Sequence, residues 1–400
     1  MQVGRYRFDR MELAGSLGDL GTLLPIALAM VQVNGMSPVG IFFSIGLYYI
    51  LAGFYFGITV PVQPMKVVGA YAVATSVSGT QIGAAGLCIA LFLLLIAVTG
   101  AIDLIRKYTP ASVIRGVQLS TGILLMVSGL RFILGTSRLQ ELLEAVEPHL
   151  VLQRIGPVPV SLIIGSTGIV LTFFLLKSRR MPAAIAVLGF GIITGLVLGG
   201  IASLYKLAPG VFLPQLLPLS FPSPADFMFA LPVLVLPQLP MTLGNAVMAY
   251  TDLSRQYFGS EANRVTNRAV CLSMAIANLL SFLVGGMPLC HGAGGLAAHY
   301  RFGARTAGSN LIIGVVFLLL VICFGTQITL FLDLIPLSIL GVLLLFAGSH
   351  LAVSIMDLEE RKDYVVVVTM LSITLVLNLA IAFLVGLLLA HLFERKEFSA

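Results

Sequence analysis

The sequence predicts an all-α polytopic membrane protein whose fourteen transmembrane segments form a seven-plus-seven inverted repeat. Three observations predict this fold: the composition, the length of the apolar runs, and landmarks that recur in the second half of the chain. Of the 400 residues, 58% are hydrophobic and 10% are charged, whereas soluble domains carry about a quarter charged residues. The apolar runs are continuous and about twenty residues long, which is typical of membrane helices and excludes alternating barrel strands.

The apolar runs place the predicted spans in order along the chain. The basic amino terminus leads directly into a full-length run without a small-residue cleavage site, so we expect no removable signal peptide. Boundaries follow from the apolar stretches and the Gly, Pro and charged residues between them. The expected spans lie near residues 13–34, 38–58, 64–76, 81–101, 111–134, 158–176, 182–204, 227–250, 266–285, 289–300, 307–325, 331–350, 363–377 and 379–393.

The distribution of basic residues predicts the orientation. With fourteen spans, most of the 23 Lys and Arg residues fall in segments on the same side as the two termini. Because cytoplasmic loops are enriched in Lys and Arg, we expect both termini in the cytoplasm. The sequence therefore predicts a multi-pass protein of the cytoplasmic (inner) membrane.

Landmarks in the first half recur about 225 residues later. Gly21 in GDLGTLLPI matches Gly244 in PQLPMTLGN, and Pro110 in TPASVIRG matches Pro336 in IPLSILG. Since each half has an odd number of spans, the two halves enter the membrane in opposite directions. Transporters are often built from such inverted repeats.

Two equivalent segments are too short to span a bilayer. In GITVPVQPMKVVGAYAVATS, prolines forbid a continuous helix, and the β-branched approach favours an extended strand. We expect a half-helix to begin at Pro64 and a second to begin at Pro288, each after a short extended strand and near the bilayer midplane.

The opposed amino termini of these half-helices predict an anion site. Unpaired backbone N–H groups and the helix dipole attract negative charge. Gly292, Gly294 and Gly295 remove side chains that would keep an oxyanion from the backbone. Lys66 lies in the first turn of the first half-helix, and a basic residue at membrane depth needs an anionic partner. That partner is either substrate or Asp19, and a snorkelling Lys66 is the structural alternative.

Polar residues in the first and eighth spans complete the predicted shell. Asp19 and Thr22 lie in GSLGDLGTLLPI, and Asp19 is either a proton-coupling carboxylate or a structural cap. Gln238, Thr242 and Asn245 share one helix face. These neutral donors suit a tetrahedral oxyanion, but they could equally bind the interrupted backbone of neighbouring spans. Gln63 and His291 carry the same two interpretations.

Three other functional classes offer alternative interpretations of the sequence. An intramembrane metallohydrolase would need more than Cys290, His291 and the distant His299, so we expect no enzyme, no metal and no cofactor. A nucleobase carrier would be expected to place a carboxylate in the eighth span. An anion channel on the same fold would use the same site without proton coupling or alternating access.

The motifs GDLGTLLPI, PVQPMK, PQLPMTLGN and PLCHGAGGLAAHYRFGARTAG together resemble the molybdate transporter family. This branch is related to the sulfate permeases but lacks their cytoplasmic STAS regulatory domain, and the chain ends at ERKEFSA. The resemblance implies the fold of sulfate and uracil permeases, a homodimer formed through a gate domain, and uptake of molybdate. It also implies sulfate as a competitor, with protons as the coupling ion. The alternative is a carrier of sulfate or another tetrahedral oxyanion.

The resemblance and the polar pattern together define the expected site and domains. Asp19 is the proton-coupling candidate, and the substrate-binding candidates are Thr22, Gln63, Lys66, Gln238, Thr242, Asn245, His291, Gly292, Ala293 and Gly294. The expected domains are core at 1–107, gate at 108–205, an external linker at 206–226, core at 227–306, core span 11 at 307–330, and gate at 331–400.

Overall fold

A computed structural model describes residues 2–3, 6–100, 110–176, 178, 182–199 and 207–394. Within these residues the chain is helical apart from connecting segments and three antiparallel ribbons of two-residue strands. The first half contains β1 (Gln2–Val3), β2 (Tyr6–Arg7), α1 (Arg10–Ser16), α2 (Leu20–Gln32), α3 (Pro38–Phe56), β3 (Gln63–Pro64), α4 (Lys66–Thr75), α5 (Gly79–Thr99), α6 (Ala111–Leu134), α7 (Arg138–Leu142), β4 (Arg154–Ile155), β5 (Val158–Pro159), α8 (Val160–Leu175) and α9 (Ala183–Leu198).

The second half begins with a long helix. Its elements are α10 (Pro224–Ala262), α11 (Asn267–Leu283), β6 (Leu289–Cys290), α12 (Ala293–Phe302), α13 (Gly308–Phe324), α14 (Ile328–Leu332), α15 (Leu337–Ala352), α16 (Arg361–Val376) and α17 (Leu379–Glu394).

Length and hydropathy identify membrane-spanning candidates among the described residues. Six helices qualify, and a seventh span results if the bent pair α1 and α2 counts as one. Four shorter apolar helices, α8, α9, α11 and most of α17, add to these. The protein is therefore a helical membrane protein, while the number of fourteen spans stays a prediction.

The first predicted span is broken at the point where polar residues enter it. The axes of α1 and α2 differ by 42°. The side chain of Asp9 caps α1 by accepting hydrogen bonds from two first-turn N–H groups. At the break, a Cβ on Gly18 would lie 2.9 Å from the carbonyl oxygen of Ala298 in α12. The absence of a side chain at Gly18 thus lets α12 pack against the break.

The eighth predicted span, α10, is interrupted in a different way. It contains two π-helical stretches, Leu231–Val235 and Thr242–Ala249. Pro237 and Pro240 lie between them, and proline removes an N–H from the helical ladder. π-Helical turns are frequent at functional sites, and two of the predicted site residues, Thr242 and Asn245, lie in the second stretch.

Helices α6 and α15 cross at very short range. A Cβ on Gly129 would lie 2.4 Å from the carbonyl oxygen of Gly341, and a Cβ on Gly341 would lie 2.5 Å from that of Gly129. Gly122 and Gly348 repeat the arrangement, at 2.6 and 2.5 Å. Small residues let membrane helices approach closely and pack through their backbones.

The structure corrects both predicted half-helix starts. Gln63 and Pro64 form strand β3, which pairs with β6, so α4 begins at Lys66 instead of Pro64. Likewise α12 begins at Ala293 instead of Pro288. The physical reason is that buried extended backbone must be hydrogen-bonded, and each strand uses two residues to pair with the other before its helix can start. The expected strand before each half-helix is present.

The structure describes some of the predicted domain boundaries and not others. Two of its boundaries, 107/108 and 205/206, lie outside the described residues, as do Met1 and residues 395–400. Several of the basic residues used to assign orientation lie there too. The core and gate assignment and the cytoplasmic position of the termini therefore stay predictions.

The α6–α15 crossing yields a stability prediction. Gly129→Ala should destabilise the fold, because the new methyl would meet the backbone of α15. Gly189→Ala in α9 is the matched control, since its Cβ would meet nothing within 4 Å. In the Gly189→Ala control, replacing a glycine inside a helix should raise the free energy of unfolding by about 0.5–1 kcal/mol. The test is thermal unfolding in detergent by circular dichroism, and equal melting temperatures for the two variants would contradict this account of the crossing.

Candidate anion-binding site

A buried ribbon joins the two predicted half-helices. Gln63 pairs with Cys290, and Pro64 pairs with Leu289. The ribbon continues through Met65, whose N–H donates to the carbonyl of Pro288 at 2.9 Å. Because the strands are antiparallel, α4 and α12 leave the ribbon in opposite directions. The first turns of both helices therefore lie beside one ribbon inside the protein.

Two asparagines hold the extended segments from outside the ribbon. Asn310 of α13 accepts from the Val60 N–H at 2.8 Å and donates to the Val60 carbonyl at 2.8 Å. Asn278 of α11 does the same for Leu289, at 3.0 and 2.7 Å. Both side chains have an exposed fraction of 0%. The sequence analysis missed both residues, although a lone amide within an apolar span is a signal for such a role.

His291 fixes the second strand to the first approach segment. Its Nδ1 lies 2.9 Å from the carbonyl oxygen of Pro61, and its Nε2 lies 2.7 Å from the Tyr48 hydroxyl and 3.2 Å from that of Ser273. Since a carbonyl can only accept, Nδ1 carries the proton, and in the neutral ring Nε2 accepts. His291 thus has both ring nitrogens engaged with protein. The sequence analysis missed Tyr48 and Ser273, which lie in apolar stretches.

Asp19 and Gln63 form a buried polar pair beside the ribbon. The Gln63 side-chain N–H₂ donates to both carboxylate oxygens, at 2.9 and 2.8 Å. The exposed fractions are 3% for Asp19 and 1% for Gln63. The other amide atom, Gln63 Oε1, is buried without a hydrogen-bond partner. Thr22 lies beside the same carboxylate, in the first turn of α2.

The three predicted glycines have different surroundings. A Cβ on Gly292 would lie 2.1 Å from Gln63 Oε1, and a Cβ on Gly295 would lie 2.5 Å from Asp19 Oδ2. These two glycines therefore let α12 approach the Asp19–Gln63 pair. Gly294 is different, because nothing lies within 4 Å of its Cβ position, and the residue is exposed. Of the three, Gly294 is the one whose missing side chain leaves open space at the helix terminus.

Gln238 contacts the amino terminus of α4. Its carbonyl oxygen accepts from the N–H groups of Val67 and Val68, at 3.0 and 3.2 Å. Its N–H₂ donates to the Thr242 hydroxyl at 2.9 Å. Gln238 therefore caps the first turn of α4 from the neighbouring helix, and in this arrangement it occupies two N–H groups that the sequence analysis had assigned to an anion.

Three of the predicted residues near the two helix starts are half-buried. Lys66, the first residue of α4, is half-buried, and within the described chain it makes no ion pair shorter than 4.0 Å. It lies within electrostatic range of Asp19 and of His350 on α15. Asn245 is half-buried, with its Nδ2 3.6 Å from the Cβ position of Gly292. Ala293 opens α12, whose first turn has no side-chain cap.

The structure thus brings most of the predicted residues to one place. Hydrogen bonds or short distances connect Asp19 with Thr22 and Gln63, Gln63 and Asn245 with Gly292, and Gln238 with Thr242. His299, considered above for a hydrolase, instead lies 2.9 Å from the Thr59 hydroxyl. Across the described residues, no group of three or more His, Cys, Asp or Glu side chains is placed to hold a metal ion.

Comparison with known families identifies the family of this chain. The family described as "Molybdate transporter of MFS superfamily" matches residues 11–125 and 230–351, which contain the ribbon and both short helices. The chain belongs to the molybdate transporter family. Its membership, together with the apolar helices, identifies a membrane transporter rather than an enzyme.

Relatives of this family match nearly the whole chain. Molybdate transporter 2 of Arabidopsis thaliana is 32% identical over 379 residues, covering 88% of this chain and 80% of the relative. Molybdate transporter 1 of Chlamydomonas reinhardtii is 29% identical over 469 residues, covering 94% of this chain and 90% of the relative.

Two solved structures share the fold of this family member. The transmembrane domain of the cyanobacterial bicarbonate transporter BicA superposes with a TM-score of 0.64 at 18% identity, covering 96% of this chain and 98% of that domain. Murine SLC26A9, an anion transporter in the inward-facing state, superposes with a TM-score of 0.65 at 14% identity, covering 98% of this chain and 69% of the other. At these identities the likeness establishes the fold alone.

The asparagine contacts yield a prediction for the ribbon. Asn278→Ala leaves the Leu289 N–H and carbonyl unpaired in the interior, which should destabilise the fold by about 1–3 kcal/mol for each group. Asn278→Asp retains the acceptor for the Leu289 N–H and should lose less stability than Asn278→Ala. Asn263→Ala, at an exposed position, is the control. The measurement is again thermal unfolding, and an Asn278→Ala melting temperature equal to that of the control would contradict the role assigned to this residue.

Proposed function

We propose that the protein is a secondary active transporter that takes up molybdate across the cytoplasmic membrane. In this proposal the oxyanion binds between the first turns of α4 and α12, beside the β3–β6 ribbon. The observation that carries the proposal is the Lys66 ammonium, which lies at the start of α4 without an ion pair within the described residues. A cation held in a half-buried place needs an anion, and the family relatives are named for molybdate.

The available groups suit a tetrahedral dianion. Lys66 supplies a full charge, and the uncapped first turn of α12 supplies N–H groups and the positive end of a helix dipole. The Asn245 amide and the Thr242 hydroxyl can add neutral donors. Gly294 leaves the backbone of α12 accessible to an oxygen atom of the substrate. In this proposal Gln238 and His291 act by positioning α4 and the ribbon.

Asp19 is the proposed proton-coupling group. Its carboxylate lies against Gly295 of α12, next to the place assigned to the dianion, so the two negative charges would repel each other. Protonation of Asp19 removes this repulsion and lets a proton enter with the substrate. In the empty site Gln63 donates to both oxygen atoms of the Asp19 carboxylate, and a proton on Asp19 would compete with these hydrogen bonds. The proton and the oxyanion would therefore bind together.

The fourteen-span inverted repeat is also part of the proposal, and helix packing supports it. Helix α3 packs on α13, and α5 packs on α11. A two-fold axis in the membrane plane would exchange these two pairs. The same axis would map the ribbon onto itself and the α6–α15 crossing onto itself. Pro110 and Pro336 immediately precede α6 and α15, as equivalent positions should.

Transport in this proposal is a movement of a core domain against a gate domain. The core contains the ribbon and α1–α5 with α10–α13, and the gate contains α6, α8 and α9 with α15–α17. Alternating access by such rigid-body movement, of elevator or rocking type, would carry the site across without rebuilding it. We further propose a homodimer through the gate, a location in the inner membrane, and cytoplasmic termini.

A second candidate substrate is sulfate or another tetrahedral oxyanion. The free groups at the site are a cation and hydrogen-bond donors, which any tetrahedral dianion satisfies. Competition of labelled molybdate by excess sulfate in proteoliposomes distinguishes a molybdate-selective site from a general one.

Lys66 gives the sharpest prediction of the proposed function. Lys66→Ala should fold normally, because no ion pair is lost, and should lower molybdate uptake by at least about thirty-fold, since a desolvated charge contact costs about 2 kcal/mol or more. Lys362→Ala is the control, because that ammonium pairs with Glu360 at 2.7 Å outside the site. Uptake into proteoliposomes is the measurement, and equal rates for the two variants would remove Lys66 from the site.

Asp19 gives a prediction about pH. Wild-type uptake should fall as pH rises, because transport requires the protonated carboxyl group. Asp19→Asn mimics the protonated form and should bind molybdate while losing most of this pH dependence. Asp252→Asn, at an exposed position of α10, should keep the wild-type profile. Uptake and binding are measured across pH 5–8 in the three proteins, and an Asp19→Asn profile that follows the wild type would exclude Asp19 from coupling.

A further inference from the structure

A large cavity lies away from the proposed transport site, where α3, α10 and α12 end. It has a volume of about 830 Å³. Three arginines line it: Arg7 from β2, Arg264 from the segment after α10, and Arg305 from the segment after α12. Three arginines, each from a different segment of the chain, therefore converge on one cavity.

Neutral oxygen atoms hold two of these guanidinium groups. Arg264 donates from one terminal nitrogen to the carbonyl of Tyr55, at 3.0 Å, near the end of α3. Arg305 donates from one terminal nitrogen to the carbonyls of Tyr300 and Ala304, at 2.6 and 2.8 Å. A guanidinium has five N–H donors, so each of these groups retains donors on its other nitrogens.

Aromatic stacking fixes the orientation of Arg305. Its guanidinium carbon lies 3.6 Å from the centroid of the Tyr300 ring. Tyr300 in turn stacks on Tyr257, with the ring centroids 4.1 Å apart. Tyr257 and Phe258, both half-buried, provide aromatic lining of the cavity. The cavity therefore combines preoriented cations with apolar surface.

In the part of the chain that the structure describes, no ion pair neutralises the arginines that line the cavity. Among the described ion pairs, none includes Arg7, Arg264 or Arg305. One carboxylate, Glu261, also lines the cavity, against three guanidinium groups. Glu12 lies behind the wall with an exposed fraction of 1%, where it accepts from the main-chain N–H groups of Arg305 and Thr306. Glu12 thus fixes the backbone that carries Arg305.

We propose that this cavity binds an organic anion that carries a phosphate ester group. Arginine forks match the geometry of phosphate oxygens and bind them in bidentate fashion. The volume lies in the range of sites for small organic molecules, whereas an inorganic tetrahedral oxyanion would leave most of it empty. The arginines bind the phosphate group, and Tyr257 and Phe258 contact the organic part. This site is separate from the transport site at Lys66.

A soluble phosphate ester and a phospholipid headgroup both carry such a group. A binding experiment with two arms distinguishes them. The soluble arm titrates the detergent-purified full chain with glycerol 3-phosphate, and with inorganic phosphate for comparison, by isothermal calorimetry. The lipid arm reconstitutes the protein in phosphatidylcholine nanodiscs with or without phosphatidic acid and counts bound lipid by native mass spectrometry. The variants are Arg264→Gln/Arg305→Gln and Arg7→Gln, and Arg138→Gln on exposed α7 is the control.

Binding of glycerol 3-phosphate, or of phosphatidic acid alone, supports the proposal and identifies the source. In either case, affinity should fall at least about ten-fold in the double variant and stay unchanged in the control. Arg7→Gln should also weaken binding, and it provides the test if the double variant fails to fold, because the Arg7 side chain is exposed. The proposal is overturned if neither ligand binds, if the variants bind as the control does, or if inorganic phosphate binds as tightly as its ester.

Discussion

The antiparallel pairing of β3 and β6 is the interaction on which the rest of this structure depends. A helix interrupted in the interior of a membrane protein exposes backbone N–H and C=O groups that have no water to bind. Here each interrupted segment supplies the partner that the other lacks. Asn278, Asn310 and His291 satisfy further backbone groups of the two segments. This network keeps the first turns of α4 and α12 in fixed positions, although neither helix is long enough to cross a bilayer.

A site of this kind is positioned mainly by backbone and packing, and the proposal assigns its charge chemistry to two side chains. Gly292 and Gly295 allow α12 to reach the Asp19–Gln63 pair, and Gln238 caps α4 from the neighbouring α10. Among the described residues, Lys66 and Asp19 are the charged side chains that the proposal places beside the substrate. One attracts a dianion and the other repels it, so protonation of a single carboxyl group is enough to couple proton binding to oxyanion binding. The arginine cavity has the opposite construction, with several side-chain cations and an aromatic wall.

The sequence was informative about features that follow from local chemistry. The two broken spans, the strand before each short helix and the polar positions in α2 and α10 follow from Pro, Gly and polar residues in apolar stretches, and the structure contains them. The helix starts were wrong by a few residues, because pairing between distant strands consumes residues that local propensity assigns to a helix. Asn278, Asn310, Tyr48 and Ser273 were missed for the same reason, since each acts on a segment distant in sequence or on another helix. The capping of α4 by Gln238 likewise depends on tertiary packing that no local pattern encodes.

The most direct test of the central claim is to locate molybdate in the protein by anomalous scattering. Crystals of the full chain grown with molybdate would be measured on both sides of the molybdenum absorption edge. The account predicts an anomalous peak between the first turns of α4 and α12, within hydrogen-bonding distance of the Lys66 ammonium and of backbone N–H groups near Gly294. An occupied transport site elsewhere, with no peak at this position, would contradict the account.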